Sequence, residues 1–304
     1  MSEMKTKTIL YIYSALLLTG TTLASCTKVN YDDNFPEGDP PPVPGGYTNS
    51  SQIAKENLVA YWAFNGSLID SISGKSATNF GATFTDGKKG EAFQGSTTAY
   101  ATFDPDNSIQ QLKSFTISFW INSPLNTGAI GIFTLAKTDD FWGNLDIYQD
   151  NGGTGSNAVF KVHLFNNAVP WSGQFTDTRT GFGSWRQITI TYDAATSIFN
   201  IFQNGAALGV NSAGNPANTL GPKLNGSDPS VQPVKPYGEL NFINATKIAF
   251  GAFQFQTNPS LTTGAGPQSW ANNFTGQIDE FRIYNKALSG LEVSALYKLE
   301  QQGR

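Results

Sequence analysis

Phe115-Thr116-Ile117-Ser118-Phe119-Trp120-Ile121 alternates without a break, with Phe115, Ile117, Phe119 and Ile121 on one side of an extended chain. A period of two sustained this long marks a β-strand with one face turned to a core. The same pattern recurs in both directions. Downstream, Trp185-Arg186-Gln187-Ile188-Thr189-Ile190-Thr191-Tyr192-Asp193 predicts a strand, and Ile198–Gln203 predicts its neighbour, ending at the hairpin dipeptide Asn204-Gly205. Upstream, Leu58–Phe64 stops at Asn65-Gly66, and Gly81–Thr85, Glu91–Gln94 and Ala99–Phe103 are short runs parted by Gly, Asp and Lys. Ile130–Leu135, Leu145–Gln149, Ala158–Phe165, Thr246–Phe255 and Phe274–Tyr284 continue the series. Ser289 then stands as a helix N-cap ahead of Leu291, Val293, Leu296 and Leu299, with Glu292 three residues on as its capping-box partner. About a dozen strands, one terminal helix and no alternation of strands with helices predict an all-β antiparallel sandwich.

Composition agrees. The 304 residues are 39% hydrophobic and 13% aromatic but only 14% charged, where soluble domains average roughly 25% charged. Turn-forming residues replace the missing charge, with 31 Gly and 26 Asn. A net charge of −4 offers no basic surplus to displace counterions from phosphate, which argues against a nucleic-acid partner. A single cysteine excludes a disulfide framework and CxxC sites, and a single histidine, His163, excludes a zinc site of several imidazoles.

The N-terminus reads as an address. Lys5 and Lys7 precede an apolar run from Ile9 to Leu18, too short for the ~20 residues of a membrane span but suited to a secretory signal. Leu23-Ala24-Ser25-Cys26 resembles the bacterial lipobox, which implies cleavage before Cys26 and acyl chains on its sulfur. Thr27, in place of the aspartate that marks inner-membrane retention in that class, implies an outer-membrane lipoprotein. Asp32 and Asp33 near the anchor are similar to signals for the cell surface, with a periplasm-facing body as the alternative. Pro36, Pro40, Pro41, Pro42 and Pro44 make residues 26–51 a Pro/Gly-rich tether.

Four blocks resemble the laminin-G-like, concanavalin A-like jelly-roll family of bacterial envelope proteins. Leu58–Ser71 is similar to its first strand and turn, Phe115–Ile121 to its central strand, and Trp185–Gly205 to its paired strands. Gly276-Gln277-Ile278-Asp279-Glu280-Phe281-Arg282-Ile283-Tyr284-Asn285-Lys286-Ala287-Leu288-Ser289 is similar to its closing strand and helix cap. The resemblance implies a two-sheet jelly roll with a short C-terminal helix over residues 52–304, behind a signal at 1–25. The fold hosts lectins, hydrolases and structural modules alike. The family's structural calcium, carried over, implies the Asp279 carboxylate with oxygens near Asn65, although the family often has an acidic residue where Asn65 stands.

Catalysis finds little purchase. The Glu-x-Asp-x-x-Glu pattern of glycosidases on this fold is absent. Asp146 and Asp150 share a strand face, but ~3.3 Å per residue sets them ~13 Å apart, too far for paired-carboxylate hydrolysis. Asp279 and Glu280 are adjacent and so are expected on opposite faces. His163 is expected beside Lys161, with no serine or aspartate partner in view. Glycan binding requires exposed aromatic faces flanked by amides. Phe141-Trp142-Gly143-Asn144, Asn166-Asn167-Ala168-Val169-Pro170-Trp171 and Gln268-Ser269-Trp270-Ala271-Asn272-Asn273 each set a tryptophan in polar, loop-like surroundings. Trp142, Trp171 and Trp270, with Asn144 and Asn272, are the candidate contact residues, whereas Trp62, Trp120 and Trp185 lie in strand blocks. Asn211–Glu239 and Thr257–Asn272 are long insertions, the kind that often carries function. The expectation is a lipid-anchored binding module without catalysis, for glycan first and a surface protein second, with a glycoside hydrolase of non-standard carboxylates as a further alternative.

Overall fold

The computed structural model describes residues 40–124, 128–150, 157–167, 173–180, 183–208 and 237–304. Cys26 and most of the tether lie outside that set, as do Trp171 and most of the 211–239 insertion.

The alternating segments become sixteen strands among the described residues: β1 Leu58–Trp62, β2 Thr78–Phe80, β3 Thr83–Asp86, β4 Glu91–Gln94, β5 Tyr100–Phe103, β6 Phe115–Asn122, β7 Ala129–Leu135, β8 Leu145–Asp150, β9 Asn157–Leu164, β10 Gly173–Thr180, β11 Arg186–Asp193, β12 Ile198–Gln203, β13 Ala206–Leu208, β14 Ile248–Phe250, β15 Ala271–Asn273 and β16 Gln277–Tyr284. One sheet runs β13-β12-β11-β6-β16-β4-β3, with β1 also on β16, and the other runs β10-β9-β8-β7-β14-β5-β2, with β15 on β7. Every pairing is antiparallel except the short β15–β7 ladder. Helix α1 (Asn107–Gln110) is a single turn, and α2 (Gly290–Gln301) follows β16.

The expected inward face of β6 is observed. Phe115, Ile117, Phe119 and Ile121 join the core between the sheets, against Phe133, Leu145, Ile147 and Val162 of the facing sheet. Phe250 of β14 lies at the centre of that core, with ring centroids 5.0 Å from Trp62, 5.5 Å from Phe64, 5.6 Å from Phe133 and 5.1 Å from Phe281. The other face of β6 is not left to solvent. Trp120 is 3% exposed, its indole N–H donating to Glu300 of α2 at 2.7 Å. Thr116 donates to the Lys286 carbonyl and accepts from the Leu288 N–H.

Helix α2 therefore covers the outside of the first sheet, and the chain before β1 covers part of α2. Val43 and Ile53 pack with Val293, Leu296 and Leu299, and the Ser50 N–H reaches the Arg304 carbonyl. Packing thus begins at Val43, inside the stretch expected to be tether, because its apolar side chain meets the apolar face of α2. Among the described residues no helix is long and apolar enough to cross a membrane.

The capping box at α2 forms as the sequence implies: Ser289 accepts from the Glu292 N–H, and the Glu292 carboxylate accepts from the Ser289 N–H at 2.7 Å. Burial alone would raise the Glu292 carboxyl, but the Ser289 donors and the Lys286 ammonium outweigh it and hold it below the usual glutamate range. A carboxyl lowered on folding contributes stability above its unfolded value and loses it as pH falls through the folded one. Glu292→Ala should cost about 1 kcal/mol near neutral pH, and the gap to the parent should narrow as pH falls through the folded value. Urea unfolding at pH 7 and pH 3.5 measures both; an equal gap at the two pH values would refute the assignment.

Two strands depart from simple alternation. On β16 the register slips between Asp279 and Arg282 opposite β6, and Glu280 takes a left-handed backbone at φ 51°. This bulge lets Ile278 and Phe281, three residues apart, both enter the core. Asp279 and Glu280 therefore do not follow the opposite-face expectation. The run expected as Thr246–Phe255 is a strand only at β14, because Gly251 turns the chain at φ 80°, a conformation that glycine adopts at little cost. Phe253 and Phe255 leave the core at that turn and join a separate cluster with Tyr148, Ala129 and Ala271.

Candidate functional site

That separate cluster forms around two of the three expected tryptophans. Trp142, in the β7–β8 connection, and Trp270, just before β15, are 128 residues apart in sequence. Their ring centroids lie 6.3 Å apart at 45°. Trp142 stacks on Tyr148 at 5.6 Å and 23°, and Trp270 packs at 5.7 Å from Phe255 and 6.2 Å from Phe141. Trp142 and Phe141 are half-buried, while Trp270 keeps 42% of its surface exposed. Asn272, exposed on β15, stands two residues beyond. Sequence reasoning missed Phe141, Phe253, Phe255 and Tyr148 as members; their aromatic character was visible, but not their departure from the core.

Hydrogen bonds lock the two contributing segments together. The Gln254 side-chain amide donates to the carbonyls of Asp140 and Phe141 at 2.8 and 3.0 Å. The Thr262 hydroxyl donates to the Asp140 carbonyl at 2.6 Å, and the Thr263 N–H to the Thr138 carbonyl at 2.9 Å. The 257–272 insertion is thus a wall of the aromatic face, built against the 136–144 loop. That loop is pinned from below, where the Gly143 N–H donates to Asp146 Oδ2 at 2.8 Å. A Cβ at Gly143 would lie 2.7 Å from the Leu135 carbonyl and 2.9 Å from Asp146, so only glycine permits this approach.

Asn144 is corrected: it is fully buried, not a surface contact. Its amide donates to the carbonyls of Ala136 and Ile243, and its oxygen accepts from the Ile243 N–H. These bonds tie the loop to the 241–247 segment and leave no group for a ligand. Trp62 and Trp120 are buried, as expected of strand tryptophans.

The charged groups pair differently from the expectation. His163 lies directly opposite Asp146 on the β8–β9 ladder, with Nδ1 3.2 Å from Asp146 Oδ2. An aspartate partner therefore exists, supplied by strand register rather than by neighbours in sequence. Lys161 pairs with Asp150 instead, and Lys137 with both Asp139 and Asp140. Glu280 and Glu300 converge on Arg282, but their side chains are 1% exposed and lie under α2 rather than in a cleft.

The expected calcium ligands are engaged by donors. Asp279 Oδ2 accepts from the Lys89 N–H at 2.9 Å and Oδ1 from the Glu280 N–H at 2.7 Å. Burial pushes this carboxyl up to about 7. The Asn65 side-chain oxygen accepts from the Glu91 N–H at 2.7 Å. Calcium needs six to eight oxygen ligands, and here N–H groups face the two expected oxygens. Among the described residues no cluster of three His, Cys, Asp or Glu is placed to hold an ion.

A cleft of about 580 Å³ opens elsewhere, between β11–β12 and the start of α2, with Thr191, Asp193, Asn200 and Phe202 in its lining. It is of ligand size. Phe202 is only 6% exposed and Asp193 is spent on the Ala195 N–H and the Thr196 hydroxyl, so it offers neither a stacking face nor an unspent carboxylate. The aromatic face is the stronger site.

Solved structures with similar folds include binding domains. The binding domain of Paraclostridial Mosquitocidal Protein 1 aligns with TM-score 0.55 and 18% identity, over 80% of this chain and 52% of that one. A botulinum neurotoxin type C structure, concerned with interaction with two ganglioside molecules, aligns at 0.53 and 16%, over 83% and 53%. The binding domain of botulinum neurotoxin DC in complex with rat synaptotagmin II aligns at 0.51 and 17%, over 82% and 52%. The chain spans about half the length of these structures, and at such identity the likeness is one of fold. No curated relative matches. The model of the concanavalin A-like lectin/glucanases superfamily, laminin-G type, matches residues 94–236 and 242–294, which takes in the β6 and β16 blocks, the Trp142 loop and Trp270; the chain belongs to the concanavalin A-like lectin/glucanases superfamily.

Proposed function

We propose that this protein is a carbohydrate-binding module, held at the outer membrane by lipid on Cys26, that binds its ligand without transforming it. One observation carries the reading: Trp142 and Trp270 meet on the outer face of the second sheet, one half-buried and one 42% exposed. Indole faces held rigid by Tyr148, Phe253 and Phe255 suit the apolar faces of sugar rings, and Asn272 beside them suits hydroxyls. Proteins of similar fold are concerned with gangliosides in one case and bound to synaptotagmin II in another, so this architecture supports either kind of partner. The aromatic character of the face favours glycan. The membrane anchor rests on the Leu23-Ala24-Ser25-Cys26 motif, the choice of the outer membrane on Thr27, and exposure at the cell surface on Asp32 and Asp33.

The test is a glycan array probed with the full chain in detergent. Trp270→Ala and Trp142→Ala should each weaken the positive signal by roughly tenfold or more, while Leu291→Ser, on the exposed side of α2, leaves it unchanged. If well-covered glycan classes give no signal, the reading is wrong and a protein partner takes its place. Hydrolysis of a bound glycan would overturn the non-catalytic part alone.

A further inference from the structure

Beneath Trp142 lies an imidazole with one satisfied nitrogen and one without a partner. His163 is 5% exposed. Its Nδ1 meets Asp146 Oδ2 at 3.2 Å, whereas its Nε2 is buried and has no hydrogen-bond partner. Asp146, 1% exposed, also accepts from the Thr134 hydroxyl at 2.9 Å and from the Gly143 N–H at 2.8 Å. An acceptor with those neighbours fixes the neutral tautomer: Nδ1 carries the proton, and Nε2 is left as a lone pair. The Trp142 ring lies over this imidazole, with centroids 5.3 Å apart and planes 32° from parallel.

The two protonation states act differently on that indole. A neutral ring offers the indole packing alone. An imidazolium places a delocalised positive charge within cation–π range of the indole and opposite the buried Asp146 carboxylate. The same Asp146 holds the Gly143 backbone, so imidazole and tryptophan loop share one anchor.

The surrounding charges do not compete for this role. Lys161 on the same strand pairs with Asp150 of β8, and in the overlying loop Lys137 pairs with Asp139 and Asp140. The Tyr148 phenol ring of β8 stacks on Trp142. Strand β7 and residues 251–275 contain no titratable side chain. On β10, Gln174 and Thr176 stand in register with His163 and Lys161, and Asp177 and Arg179 with Phe160 and Ala158.

We infer that His163, oriented by Asp146, is a positioning residue for Trp142, and that its protonation holds the indole in the binding face so that ligand affinity rises as pH falls. The affinity clause rests on the reading of Trp142 as a contact surface; the positioning clause does not.

The chain contains one histidine, which makes the test direct. In untagged full-length protein, the single histidine Hε1 resonance gives the titration midpoint without any substitution. Acrylamide quenching of tryptophan fluorescence is then followed from pH 5 to pH 8, with Trp142→Phe identifying the Trp142 component. That component should become more quenchable as pH rises, by roughly twofold, with a midpoint matching the histidine titration. His163→Gln should abolish the pH dependence while circular dichroism shows a folded protein. A histidine that titrates with no change in quenching, or a pH dependence that survives His163→Gln, overturns the proposal. On the strongest glycan of the array, affinity at pH 5 should exceed that at pH 8 by roughly two- to tenfold. Quenching that follows the histidine without a glycan signal would leave the positioning role standing and remove only the glycan reading.

Discussion

Arg282→Met should lower the unfolding free energy by about 3–5 kcal/mol, measured by urea denaturation at pH 7. Arg282 lies under α2 with its side chain 4% exposed, pairing with Glu280 at 2.7 Å and with Glu300. The guanidinium also stacks 4.1 Å from the Tyr61 ring. Each carboxylate has further donors: Tyr61 reaches Glu280 at 2.8 Å, and Trp120 and Gln187 both reach Glu300 at 2.7 Å. Removing the guanidinium leaves two buried acids without the charge that pairs them. The large cost comes from that stranded charge, and it does not measure what the pairs contribute over an apolar replacement. The double variant Arg282→Met with Glu300→Gln should therefore lose less than the two single losses added together. A single-variant loss under about 1 kcal/mol, or strict additivity, would show that water reaches the network and that α2 does not seal it.

Phe250→Ala should cost about 3–5 kcal/mol as well, by a different route. Phe250 is fully buried and meets four other rings, two of which, Trp62 and Phe281, come from the opposite sheet. Truncation loses the transfer free energy of the ring and leaves a cavity that four rigid aromatic neighbours are ill-suited to fill. At roughly 2–4 °C per kcal/mol for a unit of this size, the thermal midpoint should fall by about 6–20 °C. Ligand binding on the outer face should survive below that midpoint, since Phe250 does not touch Trp142 or Trp270. A loss under about 1 kcal/mol would mean that the two sheets do not depend on this contact.

These two sites differ in how visible they are before folding. Phe250 sits in an apolar run that any reading would bury. The Arg282 network was hidden, because Glu280, Arg282 and Glu300 look like ordinary surface charges until α2 is laid over β16. The bulge did leave a trace: Ile278, Phe281 and Ile283 are spaced by three and then by two, a phase change that strict alternation does not produce. His163 and Asp146 left none, since seventeen residues separate them and a one-residue slip of β9 against β8 would part them.

The amino-acid sequence by itself determined what local physics governs. Alternation set the strands, Asn204-Gly205 the hairpin, and Ser289 with Glu292 the start of the helix, because each depends only on a few successive residues and their backbone preferences. It also set Trp142 and Trp270 apart from the strand residues Trp62 and Trp120. Which of those tryptophans meet was decided by tertiary structure alone. Trp142 and Trp270 come together because Gly251 turns the chain out of the core and the 257–272 segment bonds to the 136–144 loop. Asn144 is buried because the 241–247 segment takes up its amide, although its position next to Gly143 reads as surface. Contacts of this kind depend on the register and closure of whole sheets, and no short window of sequence contains that information.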